Sequence, residues 1–410
     1  MSELAATVDA LAVGLDPGRL ERIATHFDTH VKEGRLPGWL CVVGRDGEVA
    51  WVGSGGHRNV ELALPVEPDT VWRIASMTKP VTSLAAMTLH EEGRFDLNDE
   101  VARWLPEFAD PRVYVQGPPE DPVTRPAAEP IRVWHLLTHT AGLSYGFQRS
   151  HTVDAIYRHR GFEWGTPPDM DLATAVGAFA AMPLLFDPGA AWNYSVATDV
   201  VGRLLEVWSE QPLDECLTER VLGPAGMDET GFWCPEERQA RLASLYLYVP
   251  GNTFRPSGAM GAAATRRPSL LSGGGGLVST ARDYHRFATL LLGGGAIGGT
   301  RLVAPSTVAL MGRNFLPGGA DLQSVARGLF AEVSMAGMGF GLGLSCVLDQ
   351  ARLHLPTSEG TLSWGGAAST TFWVDPQEDL TCVFFTQLLP STSYPIRREL
   401  QRLVYQAVID

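Results

Sequence analysis

Strand-like segments lie near both ends of this chain and helical ones lie between, and that order constrains the fold more than any other feature. Apolar residues at 39–43 and 49–52 flank Asp46-Gly47, a two-residue turn that joins antiparallel strands. Three further strand-like runs come late, at 338–347, 370–374 and 380–386, and the last two flank Asp375-Pro376. Between them, apolar residues recur at helical spacing over 101–108, 133–139, 172–182, 195–208 and 213–222. The Pro-rich stretch 117–130 is expected as surface loop. Strand character returns at 230–233 and 242–249. A helix opening on Asp16-Pro17 and running to about Glu33, and another over 393–409, bracket the whole. The expectation is an α/β (α+β) fold: one antiparallel sheet drawn from both ends, flanked by helices. Residues 1–94 and 225–410 make the sheet domain, and residues 95–224 make an inserted, mainly helical one.

The first sheet segment ends at Ile74-Ala75-Ser76-Met77-Thr78-Lys79-Pro80, where a strand gives way to a helix. Ser76 and Lys79 are three residues apart, so a helix places them on one face. A serine there sits near unsatisfied N–H groups and the positive end of the helix dipole, which suits developing negative charge. The chain holds only two lysines, Lys32 and Lys79, in an arginine-rich set of 32 basic residues. Arginine stays charged, whereas lysine can release or share a proton. Ser76 therefore reads as a nucleophile, with Lys79 in its proton-transfer apparatus. The plainer alternative is an ordinary helix start with a solvated lysine.

A serine that attacks an acyl carbonyl also needs a base, donors for the oxyanion and a shaped pocket. Tyr194, in the turn-rich approach Asp187-Pro188-Gly189 to a helix start, is the second base candidate, since a nearby ammonium favours its anion. Ser363-Trp364-Gly365-Gly366-Ala367 is the third element. A strand ending in two glycines lets a substrate lie close to the backbone. The N–H groups of Ser76 and Ala367 are then the expected oxyanion hole, with Trp364, Gly365 and Gly366 on the substrate.

Together, Ser76-Met77-Thr78-Lys79, Tyr194 and Trp364-Gly365-Gly366 resemble the serine β-lactamase and penicillin-binding-protein-like superfamily, and within it the family VIII carboxylesterases. Residues 136–143, Pro188-Gly189, 222–227 and 274–283 support the likeness. It implies a β-lactamase-like fold with the site in a cleft between the sheet lobe and the helical lobe. Two departures inform the substrate. Val196 stands where β-lactamases carry the Asn of Tyr-x-Asn, and Trp364 stands where they carry a cationic residue. Losing an amide contact and a carboxylate clamp favours neutral esters over β-lactams, and the resemblance implies small, short-chain acyl groups.

A rival serine lies in Gly142-Leu143-Ser144-Tyr145-Gly146, which matches the G-x-S-x-G nucleophile elbow. That elbow needs a strand before it and a helix directly after, and the sequence offers a helix before and a polar run after. The glycine run 273–276 lacks either phosphate-binding pattern, so close backbone approach is expected there. The ten histidines show no HExxH and no paired spacing with cysteine, so neither a metal nor a cofactor is expected. His139 reads as structural.

A net charge of −14 argues against nucleic acid and anionic membranes as partners. No run of 18 apolar residues exists, which argues against a membrane span. The acidic start without an apolar stretch argues against a secretory signal, so a cytoplasmic location is expected. Cys41, Cys216, Cys234, Cys346 and Cys382 are scattered, which fits buried reduced thiols. The sequence thus predicts a serine carboxylic-ester hydrolase working through an acyl-enzyme on a small-molecule ester. A β-lactamase or D-amino-acid peptidase, an acyltransferase using the same residues, and a catalytically silent binding module are the alternatives.

Overall fold

Eight strands contributed by both ends of the chain form one antiparallel sheet. The N-terminal part gives β1 (Gly38–Arg45), β2 (Glu48–Asn59) and β3 (Leu64–Pro65). The C-terminal part gives β4 (Met338–Phe340), β5 (Ser345–Val347), β6 (Leu362–Gly365), β7 (Thr371–Asp375) and β8 (Leu380–Phe385). Their order is β4-β5-β6-β7-β8-β1-β2-β3, so the two ends of the chain meet at β8 and β1. There Cys41 lies opposite Phe384 and Val43 opposite Cys382. This computed structural model describes residues 4–163, 167, 169–251, 253–328 and 335–409. The first three residues of the acidic start lie outside that set.

Both faces of the sheet are covered, and the two-residue strand period shows why. On β1, Trp39, Cys41 and Val43 join one core and Leu40 and Val42 the other. On β7, Trp373 faces the first core, and Phe372 and Val374 face the second. Helices α1 (Pro17–Lys32) and α5 (Ile396–Tyr405) pack on the first face. Asp16 caps α1 by accepting the Arg19 N–H at 3.0 Å, and Leu20, Ile23, Phe27 and His30 form its buried stripe. Phe27 meets the Phe384 ring at 4.6 Å between centroids. A fully buried phenyl of this kind contributes about 2–3 kcal/mol.

The second face carries α2 (Thr78–Glu91) and α4 (Ala281–Leu292). Every residue of α2 from Thr78 to Leu89 is buried, so it is a core helix without a wet side. It packs against α3 (Ala197–Ser209). No described helix is long and apolar enough to cross a membrane.

Several local expectations change. The run 338–347 is not one strand but the β4–β5 hairpin. Its bend is fixed where Gly341 meets the Met311 carbonyl and Gly343, at φ +87°, meets the Ser83 side chain, closer than any Cβ could go. Residues 101–108 form two separate 3-10 turns, broken before Pro106. Residues 213–222 begin as an α-helix and widen into a π-turn. Part of the expected loop 117–130 is the second strand of a hairpin, Arg112–Gln116 with Val123–Pro126. The strand expected at 230–233 is a single bridge from Gly231 to Val278. For the β4–β5 bend and the Gly231 bridge, the partner that decides the local form is distant in sequence.

Candidate active site

Ser76 sits in a 3-10 turn, Ala75–Met77, immediately before α2. The turn is held from several sides. Ile74 N–H donates to the Leu277 carbonyl at 3.1 Å, Leu277 N–H donates to Thr78 Oγ1 at 3.1 Å, and the Tyr284 hydroxyl donates to the Met77 carbonyl at 2.7 Å. Ala75 carries φ +46°. Left-handed backbone costs a non-glycine residue about 1–3 kcal/mol and persists only where its surroundings impose it. Ser76 is half-buried and lines a cavity of about 550 Å³.

Lys79, in the first turn of α2, is 1% exposed, and its partners Gly274 and Tyr145 line the same cavity. Its Nζ donates to the Gly274 carbonyl at 2.6 Å and to the Tyr145 hydroxyl at 3.1 Å. It also stands 4.5 Å from the centroid of the Tyr194 ring, close enough for cation–π attraction. Lys79 therefore meets the face of Tyr194, while the Tyr194 hydroxyl has no partner among the described residues. Lys79 makes no ion pair with any described carboxylate, and the acceptors of its Nζ are neutral oxygens. Asp199 on α3 couples electrostatically to Lys79, and it accepts from Ser272 Oγ at 2.6 Å and from Gly274 N–H at 3.0 Å. Burial raises the Asp199 carboxyl above its ordinary range, against the pull of Ser272 and Lys79. Gly274 thus links Asp199 to Lys79 through its own N–H and carbonyl.

Tyr145 is the residue that sequence reasoning missed. It follows the rival Ser144 directly and lines the cavity. Burial, then Asp199 and Tyr194, push its phenol well above the ordinary value, so it accepts from Lys79 as a neutral hydroxyl. Gly274 was visible only as part of a glycine run. Its role depends on a carbonyl 195 positions from Lys79, and no local signal marks that.

Trp364, Gly365, Gly366 and Ala367 line the same cavity as Ser76 and Tyr194. The Trp364 ring lies 5.5 Å from that of Tyr194 and 5.1 Å from that of Phe340. Gly366 lies against the Ser76 turn: a Cβ there would come within 2.5 Å of the Ile74 carbonyl and would also strike Thr370 Oγ1. Arg397 braces this segment from behind by donating to the Gly366 carbonyl at 3.0 Å. Val196 also lines the cavity. Aromatic and aliphatic groups dominate the lining, including Phe147, Phe162, Trp192 and Met338.

Ser144 is elsewhere. It is fully buried, donates to Asp154 Oδ1 at 2.5 Å and accepts from Asn193 at 3.2 Å. A helix, Val133–Leu137, precedes it where an elbow needs a strand. His139 is buried with Nδ1 3.2 Å from Ser195 Oγ, and burial, then Lys79, depress its pKa well below the usual value. Its ring supports Tyr194 at 4.9 Å.

Residues 23–406 match the family described as Beta-lactamase. The chain is 39% identical over 365 residues to Protein Rv1367c of Mycobacterium tuberculosis (strain ATCC 25618 / H37Rv), covering 88% of each. It is 33% identical over 410 residues to Esterase EstB of Burkholderia gladioli, covering 95% of each. Among solved structures it is similar to EstCE1, described as a hydrolase with promiscuous acyltransferase activity. That match has a TM-score of 0.79 at 28% identity and covers 95% of this chain and 99% of that one.

Proposed function

The chain belongs to the β-lactamase family, and on that premise we propose that it is a serine carboxylic-ester hydrolase of the family VIII type, working through an acyl-enzyme on Ser76. The observation that carries the reading is the buried Lys79 Nζ, held by neutral oxygens and an aromatic ring one helical turn on from a serine in the wall of an apolar cavity. The similarity to Esterase EstB supports ester bonds as the target.

Ser76 Oγ attacks the ester carbonyl, and its proton passes to the Lys79/Tyr194 unit, which enters the step one proton short, with either Lys79 as the free amine or Tyr194 as the anion. The N–H groups of Ser76 and Ala367 hold the oxyanion. The unit then protonates the leaving alcohol as the C–O bond breaks. Water, deprotonated by the same unit, releases the acid and restores Ser76. Tyr145 and the Gly274 carbonyl keep Lys79 in place through these steps. Trp364, Gly365 and Gly366 form the wall against which the substrate lies. Trp364 and Val196 offer neither a cation nor an amide contact to a β-lactam, so short-chain neutral esters are the proposed substrates. The cleft is read as lying between a sheet lobe, residues 1–94 and 225–410, and a mainly helical lobe, residues 95–224. A cytoplasmic location is part of the proposal, and five free, buried cysteines support it.

Hydrolysis of an aryl butyrate tests the assignment. Ser76→Ala should abolish it and Ser144→Ala should leave most of it; the reverse result overturns the reading. Acyl transfer is the second reading, favoured by the printed description of EstCE1. Product analysis with an added alcohol separates transfer from hydrolysis.

A further inference from the structure

On the face of the sheet opposite α2, three potential ligands converge. His26 and His30 are one helical turn apart on α1, so both rings leave the same side of the helix. Glu399 on α5 reaches between them. Its Oε2 lies 3.1 Å from His26 Nε2 and 3.3 Å from His30 Nε2, and all three ligand atoms fall within 4.8 Å of one another. We propose that His26, His30 and Glu399 form a divalent transition-metal site, matched best by zinc, that clips α1 to α5.

The distances carry the argument. Zinc binds imidazole nitrogen and carboxylate oxygen at about 2.0–2.2 Å in tetrahedral geometry, which sets neighbouring donors about 3.3–3.5 Å apart. The two nitrogen–oxygen separations lie at or just below that edge length, and the two histidine nitrogens, within 4.8 Å of each other, close on the ion by side-chain rotation. Two imidazoles and one carboxylate are also a donor set suited to zinc. The second ring nitrogen of His30 is buried and has no partner among the described residues. Without an ion, Nε2 carries the proton it donates to Glu399, and metal binding moves that proton to Nδ1 or to solvent. The His26 side chain is 35% exposed, against 5% for His30 and 17% for Glu399. That exposure gives the ion an entry path and leaves its fourth position to water.

The His-x-x-x-His spacing in α1 is a signal in the sequence that neither HExxH nor a His–Cys spacing captures. The third ligand lies 373 positions away and no spacing rule reaches it. None of the three residues lines the cavity around Ser76. The site therefore acts on stability, by tying the first long helix to the last.

The test uses the full chain, stripped with a chelator and titrated with zinc chloride by calorimetry, with thermal melts alongside. One equivalent should bind saturably, and Tm should rise with zinc concentration. His26→Gln and Glu399→Gln should each lose that equivalent and the Tm rise, while aryl-ester hydrolysis stays as in the parent. His26→Gln changes a partly exposed residue, so it reports even where Glu399→Gln lowers the metal-free Tm. Absence of one-equivalent binding in the parent chain, or equal binding by both variants, overturns the site.

Discussion

Replacing Gly366 with alanine probes how the cavity holds its backbone donors. The new Cβ would lie 2.5 Å from the Ile74 carbonyl and 3.3 Å from Ala75 Cβ, and would overlap Thr370 Oγ1. Relief to an ordinary contact of 3.4 Å requires about 0.9 Å of separation between the end of β6 and the Ile74–Ala75 backbone. That backbone leads into Ser76, and Ala367 follows Gly366, so the separation opens the proposed oxyanion hole itself. A misplacement of about 1 Å costs about 10²-fold in rate, or about 2.7 kcal/mol of barrier. The strain should also cost about 1–3 kcal/mol of stability. Gly365→Ala is the control. Its Cβ meets the far end of the Arg397 guanidinium, with Nε at 2.7 Å, and a side-chain end can change rotamer where a peptide carbonyl cannot. Steady-state hydrolysis of an aryl butyrate, with Tm measured on the same samples, should show a folded Gly366→Ala protein with kcat/KM down about 10²-fold and a smaller loss for Gly365→Ala. A Gly366→Ala enzyme within threefold of the parent would refute the proposed geometry.

Tyr145→Phe removes the hydroxyl that accepts from Lys79 at 3.1 Å. It should lower kcat about 10- to 100-fold with KM little changed; an unchanged kcat removes Tyr145 from the apparatus. The second proposition concerns pH. Burial holds His285 near a pKa of about 4, below its unfolded 6.5, with Nε2 3.1 Å from Thr381 Oγ1. Between these values the unfolded chain binds more protons, so stability is fully present above pH 6.5 and is lost as pH falls towards 4, by up to about 3 kcal/mol. Urea melts from pH 7 to pH 4.5 should show a shallower loss for His285→Gln than for the parent, and identical slopes would count against the assignment.

The sequence by itself determined the elements whose signal is local. Asp46-Gly47 turns with φ of +56° and +79°, and β1 and β2 follow it. Asp16 and Pro17 start α1. The strand run along 380–385 and the helical spacing along 197–208 hold because each is a local pattern, the first apolar enough to be buried on both faces and the second buried along one stripe. The Ser76, Lys79, Tyr194 and Trp364 positions were legible because each sits in a short, distinctive pattern.

Tertiary structure decided the rest. The bend of β4 into β5 depends on Met311 and Ser83 lying where they do. Ser144 and Ser76 both occur in nucleophile-like patterns. Burial against Asp154 withdraws the first, and the cavity exposes the second. Lys79 meets the face of Tyr194 because Tyr145 and Gly274, 66 and 195 positions away, supply its hydrogen-bond acceptors. Glu399 reaches His26 and His30 only because α1 and α5 pack on the same face of the sheet. Sequence patterns report neighbours within a turn or a strand. A site assembled from four distant segments is set by packing, and packing is a property of the whole chain.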